Sequence, residues 1–277
     1  MNVKADLVLA LVTTVDLAAR RDQFLDMLRS LPSGVVLAVV FRGATPPDEE
    51  IQAALPLRSM ILRVPRAGLS VARNLGLDML ASSPGLEEAI VGFPDDDCMW
   101  AQTTGERVLS FFSSPEKRLL LGRYRPTDAD FNEARFPNLE IKLSPRSILH
   151  LAASITMFAR LKDILSLRFD ESLGVGTPRP AAEDTEMCLA LFRLCGSGTY
   201  SPDIEAFHAY QVSPILERRS VGLLIMWQYS LRFPSMGIAA VRTLLFLAKN
   251  GSLAPSMRYS AIGLGRAFVP RALLVRR

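Results

Sequence analysis

Strand-like and helix-like segments alternate through the first half of this sequence. That order predicts an α/β fold, a Rossmann-like and mostly parallel central sheet with flanking helices. Three consecutive carboxylates, Asp95-Asp96-Asp97, follow closely on the apolar run Ala89-Ile90-Val91-Gly92. The loop at the carboxyl end of a buried strand is where open α/β sheets carry their ligands. After about Pro214 the alternation gives way to long apolar stretches punctuated by arginine, which read as a helical, basic segment. The chain thus divides into an α/β domain over 1–214 and an amphipathic helical segment over 215–277.

The elements follow in order. Leu7–Thr13 is an apolar run that reads as the first strand, and Asp16–Leu31 carries helical spacing through Phe24, Leu25, Leu28 and Leu31. Val35–Phe41 is a second, β-branched run. Pro47–Leu55 opens with proline and acids, as a helix start does. Met60–Val64 is a third strand, Ser70–Leu80 a helix and Ala89–Phe93 a fourth strand; Thr103–Phe112 and Arg118–Gly122 continue the alternation. Between Pro126 and Pro145 the pattern dissolves into an irregular excursion, and Ala152–Phe158 resumes strand composition. Gly174–Pro180 is rich in Gly and Pro and reads as a mobile loop. Glu183–Leu194 is a helix with acids in its first turn, stopped by Gly196-Ser197-Gly198. Thr199–Tyr200 and Ala206–Tyr210 close the domain as two short strands.

A chain of 277 residues that is 49% hydrophobic supports one large domain, or one with an appendage. No stretch reaches the roughly 18 apolar residues that span a bilayer. The start, Met1-Asn2-Val3-Lys4-Ala5-Asp6, lacks a basic n-region and a cleavage-like site, so it reads as the approach to a strand and not as a signal peptide. Cys98, Cys188 and Cys195 are scattered without metal spacing, which fits a reducing cytosol. Charge is uneven. Residues 215–277 hold ten Lys/Arg and one acid, so +9, and the remainder carries −5 of the total +4. The basic balance belongs to the tail.

Three adjacent Asp side chains repel one another, so they sit cheaply only in water or around a cation. Oxygen ligands of this kind suit Mg²⁺ or Mn²⁺, above all when phosphate oxygens complete the shell. An isolated acidic triplet reads more readily as a solvated turn capping the next helix. Three further pieces accompany it. Gly68-Leu69-Ser70-Val71-Ala72-Arg73-Asn74-Leu75-Gly76 joins a strand to a helix and offers Arg73 near a helix N-terminus, a place that favours phosphate or a polar base edge. Phe169-Asp170-Glu171-Ser172-Leu173-Gly174-Val175-Gly176 leads to Glu183-Asp184, a carboxylate pair at a helix start. His208 follows within Phe207-His208-Ala209-Tyr210. Each has an ordinary reading as well: helix-dipole carboxylates, a hydrogen-bonded core histidine, an arginine paired with a surface acid. Trp100 reads as a packing aromatic or as a face for a sugar.

The ordered set G-x-S-x-A-R-N-x-G, F-P-D-D-D-C-x-W, F-D-E-x-L-G-x-G, E-D and a late His resembles the inverting family 2 glycosyltransferases over roughly residues 7–212. The resemblance implies the GT-A fold and a nucleotide-sugar donor. Asp95-Asp96-Asp97 is similar to the family's metal-binding D-x-D motif, which implies Asp95 near the ribose or metal and Asp97 on a divalent cation (Mn²⁺ or Mg²⁺) bridging the diphosphate. It implies Asp184 as the general base and Glu183 as an orienting partner. His208 would complete the metal or diphosphate contacts, and Thr13, Arg73, Asp95 and Asp96 would stand where the family touches the nucleotide sugar. One departure is plain. The second strand ends Val40-Phe41-Arg42-Gly43, with no acid to hold the nucleotide base before Asp48.

The implied reaction joins a sugar to a saccharide or lipid-linked saccharide acceptor, as in surface or exopolysaccharide assembly. The rivals are a sugar nucleotidyltransferase and a catalytically inactive scaffold subunit of a polysaccharide assembly complex. The first of these usually carries a Gly-rich, Arg-containing loop after the first strand, where this chain has Thr13-Thr14-Val15-Asp16. The basic apolar tail reads either as helices packed over the catalytic domain or as helices in an anionic membrane interface. Its arginines are spaced within apolar sequence and not clustered with polar or stacking residues, which argues against nucleic acid. The expected location is cytoplasmic, peripheral on the inner face of the cell membrane.

Overall fold

The computed structural model describes residues 7–126, 136–208 and 215–269. The expected α/β architecture is present as a nine-stranded sheet with helices on its faces. Strands β1 (Leu9–Val15), β2 (Val36–Arg42) and β3 (Arg58–Val64) pair in parallel, and β1 also pairs in parallel with β4 (Ile90–Gly92). β1 is buried along its whole length and β2 along all but Arg42, the near-continuous apolar run of a strand covered on both faces. Helix α1 (Leu17–Ser30) is N-capped by Asp16, whose carboxylate accepts from Ala18 N at 3.2 Å. Helix α2 (Glu49–Ala54) is capped in the same way by Asp48 on Ile51 N. Helix α3 (Leu69–Ala81) starts at Gly68 without a capping side chain.

Beyond β4 the sheet is mixed, which corrects the largely parallel expectation. The order is β3-β2-β1-β4-β8-β6-β9-β5, with β7 (Ile141–Lys142) on β9. β8 (Met157–Arg160) runs antiparallel to β4 and to β6 (Leu119–Pro126). β9 (Thr199–His208) is parallel to β6 and antiparallel to β5 (Cys98–Trp100). Alternation in a sequence orders helices and strands but says nothing about strand direction. The segment expected as one strand from Ala152 opens instead with a 3-10 turn (Ser154–Thr156) after helix α5 (Pro145–Leu151), which Ser144 caps reciprocally with Ser147. The two short strands expected after Thr199 are one strand, β9. Residues 127–135 of the irregular excursion and Tyr210 lie outside the described residues.

Helix α4 (Thr104–Phe112) precedes β6, α6 (Leu161–Leu165) follows β8, and α7 (Glu183–Cys195) is preceded at its N-cap by Ala182, a non-glycine residue at φ +73°. The loop read as mobile is tied down. Leu69 N donates to Val175 O and Gly174 N to Arg179 O, both at 2.9 Å. Gly174 sits at φ +93°, and a Cβ there would lie 3.1 Å from both Glu183 Cδ and Ser70 Oγ, so only glycine lets α3 and α7 approach across this loop.

Residues of the C-terminal segment form helices α8 (Ile215–Ser230), α9 (Pro234–Lys249) and α10 (Leu253–Ala267), and they pack onto the α/β body. Leu224, Ile225 and Tyr229 belong to the same buried core as β1, β4 and α7. Tyr229 donates to Glu186 on α7 at 3.0 Å, and Arg266 on α10 pairs with buried Asp170 at 2.7 Å. A Cβ on Gly263 would stand 2.3 Å from Leu224 O, so α10 and α8 touch backbone to backbone. The side chains of Glu217 and Arg218, and residues 270–277 with Arg271, Arg276 and Arg277, lie outside the described residues.

Candidate active site

The motif pieces read along the chain interlock in space. Ser70 on α3 donates to Leu173 O at 2.8 Å. Asn74, one turn on, donates to Phe169 O at 3.0 Å and accepts from Phe169 N at 2.9 Å. The face of α3 that carries them therefore clamps the Phe169–Leu173 loop that leads to α7. Arg73 lies between them in sequence and is almost fully buried, 2% exposed. Its guanidinium donates to Asp184 Oδ1 at 3.0 Å, Asp95 Oδ1 at 2.9 Å and Ser154 Oγ at 2.7 Å, with Glu183 Oε1 at 3.9 Å and the Phe169 ring beneath it. Arg73 is thus the cation that joins the Asp cluster to the Glu183-Asp184 pair, with its donors occupied by protein. Burial alone would lower its pKa, but the charges of Asp184, Asp95 and Glu183 outweigh that and raise it.

Asp95, Asp97 and His208 form one group, with a ligand atom from each lying within 4.8 Å of the others. His208 Nε2 stands 2.7 Å from Asp97 Oδ1 and 4.0 Å from Asp95 Oδ2. What gathers them is β5. Directly after the acidic triplet the chain turns back as Cys98-Met99-Trp100 and pairs antiparallel with β9, which puts Cys98 opposite His208. Arg20 on α1 also pairs with Asp97. Burial works to raise the Asp97 carboxyl, but His208 and Arg20 hold it below its ordinary value. Asp95 goes the other way. Its burial, with Asp184 and Asp97 nearby, raises it in spite of Arg73. Among the described residues Asp96 makes no such pair, and burial plus its two neighbours push it up to about 7. Two carboxylates and an imidazole are a hard-oxygen, borderline-nitrogen set that fits Mn²⁺, and the three side chains already converge.

Glu183 and Asp184 occupy the first turn of α7 and divide their surroundings. Asp184 lines the cavity, with Ser154 N donating to its Oδ2 at 3.1 Å. Glu183 is 8% exposed, and burial beside the Asp184 charge raises its pKa to about 7. Both carboxylates and the Asp95–Asp97 loop line one cavity of about 1330 Å³. Thr13 is buried on β1 and does not line it. Its neighbour Thr14 does, because successive strand side chains point to opposite faces. Trp100 packs in the core against Phe158 and donates to Ile155 O at 3.0 Å. His150 lies on the cavity wall.

Several site residues carried no signal in the sequence. Ser154 hydrogen-bonds to both Arg73 and Asp184 from a 3-10 turn, and Arg20 reaches Asp97 from a helix remote in sequence. At the end of β2, where the sequence lacks an acid, Arg42 lines the cavity, and Asp16 from the end of β1 stands alongside. A Cβ built on Gly43 would lie 3.3 Å from Asp16 Oδ1, so the carboxylate is at the tip of β2 although it belongs to β1.

No protein-family model matches the sequence, and no curated protein matches it. Solved structures do resemble the fold. Staphylococcus aureus TarS, a glycosyltransferase, matches with a TM-score of 0.61 at 16% identity over 81% of this chain and 40% of that one. The fold is a GT-A-like glycosyltransferase fold. TarS 1-349 in complex with UDP gives 0.59 at 16% identity over 79% of this chain and 64% of that chain. Its complex with UDP-GlcNAc gives 0.57 at 13% identity, over 92% and 74% respectively. The chain therefore spans 40% of the longer TarS chain and 64% of TarS 1-349 in the UDP complex.

Proposed function

We propose that this chain is a metal-dependent, inverting glycosyltransferase of the family 2 type that moves a sugar from a nucleotide-sugar donor to a saccharide or lipid-linked saccharide acceptor in surface or exopolysaccharide assembly. The observation that carries this reading is the meeting, in one cavity, of the Asp95–Asp97–His208 group and the Asp184 carboxylate, with Arg73 locked between them. Asp95, Asp97 and His208 would hold Mn²⁺ or Mg²⁺, which when bound supplies Lewis-acid stabilisation to a leaving diphosphate. Asp184 accepts the proton of the acceptor hydroxyl as its oxygen bonds to the anomeric carbon and the bond from that carbon to the diphosphate oxygen breaks. Arg73 and Ser154 N each hold one oxygen of Asp184, which fixes the carboxylate toward the cavity. A general base and a cation-binding group on separate elements suit displacement from the face opposite the leaving group, hence inversion.

TarS is seen with UDP and UDP-GlcNAc, which makes uridine diphosphate sugars the first donors to test here. The base would meet Asp16 and Arg42 at the strand tips. The deciding assay is sugar transfer from such a donor with Mn²⁺ or Mg²⁺, with excess chelator, and with Asp184→Asn. Loss of transfer with chelator, and a fall of about 10²-fold or more in Asp184→Asn, are expected; transfer by that variant at the wild-type rate would refute the base assignment.

The same reading places the protein at the cytoplasmic membrane face. Among the described residues no helix is long and apolar enough to cross a membrane. Leu245, Met257 and Phe268 are 66%, 59% and 75% exposed on α9, on α10 and just beyond α10, among Lys249 and Arg258. Such a surface suits an anionic interface. Because α8 contributes to the core, deleting residues 215–277 would disrupt the fold, and Leu245→Glu/Phe268→Glu is the cleaner test. Flotation with phosphatidylglycerol liposomes should fall in that variant, and unchanged flotation would exclude this face.

A further inference from the structure

A second wall of the same cavity carries the opposite charge. It is built by α5, α8 and α9, and each helix contributes a cation: Arg146, Arg219 and Arg242. On α9, Ile238, Arg242 and Phe246 recur every fourth residue, so one face of the helix is turned inward. On α8, Arg219 and Met226 stand two turns apart on the same face. The carboxylates that line the cavity all come from elsewhere, namely the end of β1, the Asp95–Asp97 loop and the start of α7.

Pairing separates two kinds of arginine in this cavity. Arg20 and Arg73 are bound to Asp97, Asp95 and Asp184. Among the described residues Arg146, Arg219 and Arg242 make no ion pair; Arg42, at the tip of β2 and not on this wall, is the other cavity arginine without one. Arg219 rests instead on the Phe246 ring, 4.1 Å from its centroid, which restrains its flat face and leaves its N–H edge available. Three guanidinium groups without an ion-pair partner among the described residues line this side of the cavity, an arrangement that favours an anion received by the wall. Guanidinium forks match phosphate oxygens two at a time. Next to them Ile238, Met226 and Phe246 provide apolar surface, so the anion fits as part of a larger molecule.

We infer that the α5–α8–α9 wall is the acceptor subsite and that the acceptor carries a phosphate ester, recognised by Arg219 and Arg242 with Arg146. This rests on the glycosyltransferase reading, in which the donor diphosphate is served at the Asp95–Asp97–His208 group, so that an anion on this wall belongs to the second substrate. A free phosphate ester and the headgroup of a phosphate-linked lipid present the same chemistry.

The test uses the full chain and two probes. Glycerol phosphate is titrated calorimetrically in EDTA, and UDP is titrated separately with Mn²⁺. The exposed positions make Arg219→Gln/Arg242→Gln compatible with folding. This variant should bind glycerol phosphate at least about tenfold more weakly than wild type, while its UDP affinity stays unchanged. Asp97→Asn should show the reverse pattern. Equal glycerol phosphate affinity in wild type and the arginine variant, together with no arginine-dependent capture by anionic vesicles, would overturn the proposal. Loss of UDP binding in the arginine variant would also overturn it, because the arginines would then belong to the donor site. If wild type binds glycerol phosphate through these arginines but never binds UDP, the donor reading fails and the acceptor assignment falls with it, leaving an anion site. Sedimentation with phosphatidylglycerol against phosphatidylcholine vesicles separates the sources. Arginine-dependent capture by the anionic vesicles, without binding of glycerol phosphate, assigns the phosphate to a lipid headgroup, and the converse assigns it to a free ester.

Discussion

Glu183 gives the sharpest test of the electrostatics at this site. It sits at the first position of α7, 8% exposed, beside the Asp184 carboxylate and 3.9 Å from Arg73. Burial first, and the Asp184 charge second, raise its pKa from 4.5 to about 7. A carboxyl raised on folding binds its proton more tightly in the native state. Its contribution to stability is therefore full below about 4.5 and is lost as pH rises through about 7. At about 1.4 kcal/mol per unit, the ionised form costs the native state about 3 kcal/mol at pH 8. Glu183→Gln keeps the shape of the protonated side chain and cannot ionise. The variant should match wild type near pH 5 and exceed it by about 2–3 kcal/mol near pH 8. Urea unfolding of both proteins at the two pH values, in chelator so that no cation loads the neighbouring carboxylates, measures the double difference. Asp96, also raised to about 7, titrates in both proteins and cancels. An equal stability difference at both pH values would refute the claim that Glu183 is held protonated by its surroundings.

Two further predictions concern the same region. Arg73→Met removes the only cation that touches both acidic groups among the described residues, leaving partly buried carboxylates uncompensated, and should cost about 3–5 kcal/mol by urea midpoint; a cost below about 1 kcal/mol would show that solvent replaces it. Ala182 holds φ +73° immediately before the Glu183-Asp184 pair, so Ala182→Gly should relieve backbone strain and stabilise by about 1 kcal/mol, read as a rise in Tm. No rise would mean that the left-handed turn is not strained.

The amino-acid sequence by itself determined the order of helices and strands, the strand that precedes the acidic loop, and the identity of the acidic, histidine and arginine groups that the fold gathers in one cavity. Those features are local. Apolar runs, capping residues and helix breakers act over a few neighbours, so β1 through α4 are legible apart from the three-residue β5. Strand direction was not legible, because β8 and β9 take theirs from neighbours distant in the chain. β5 is too short to register as a strand, yet its pairing with β9 is what carries His208 to Asp97. Arg73 showed the same limit. Its place at a helix start suggested contact with a ligand, whereas tertiary structure spends its guanidinium on Asp95, Asp184 and Ser154. The C-terminal segment was legible as basic and apolar, but not which face turned inward. Composition fixes how much charge a helix carries, and only packing decides that Arg219 and Arg242 line the cavity that the acidic residues share.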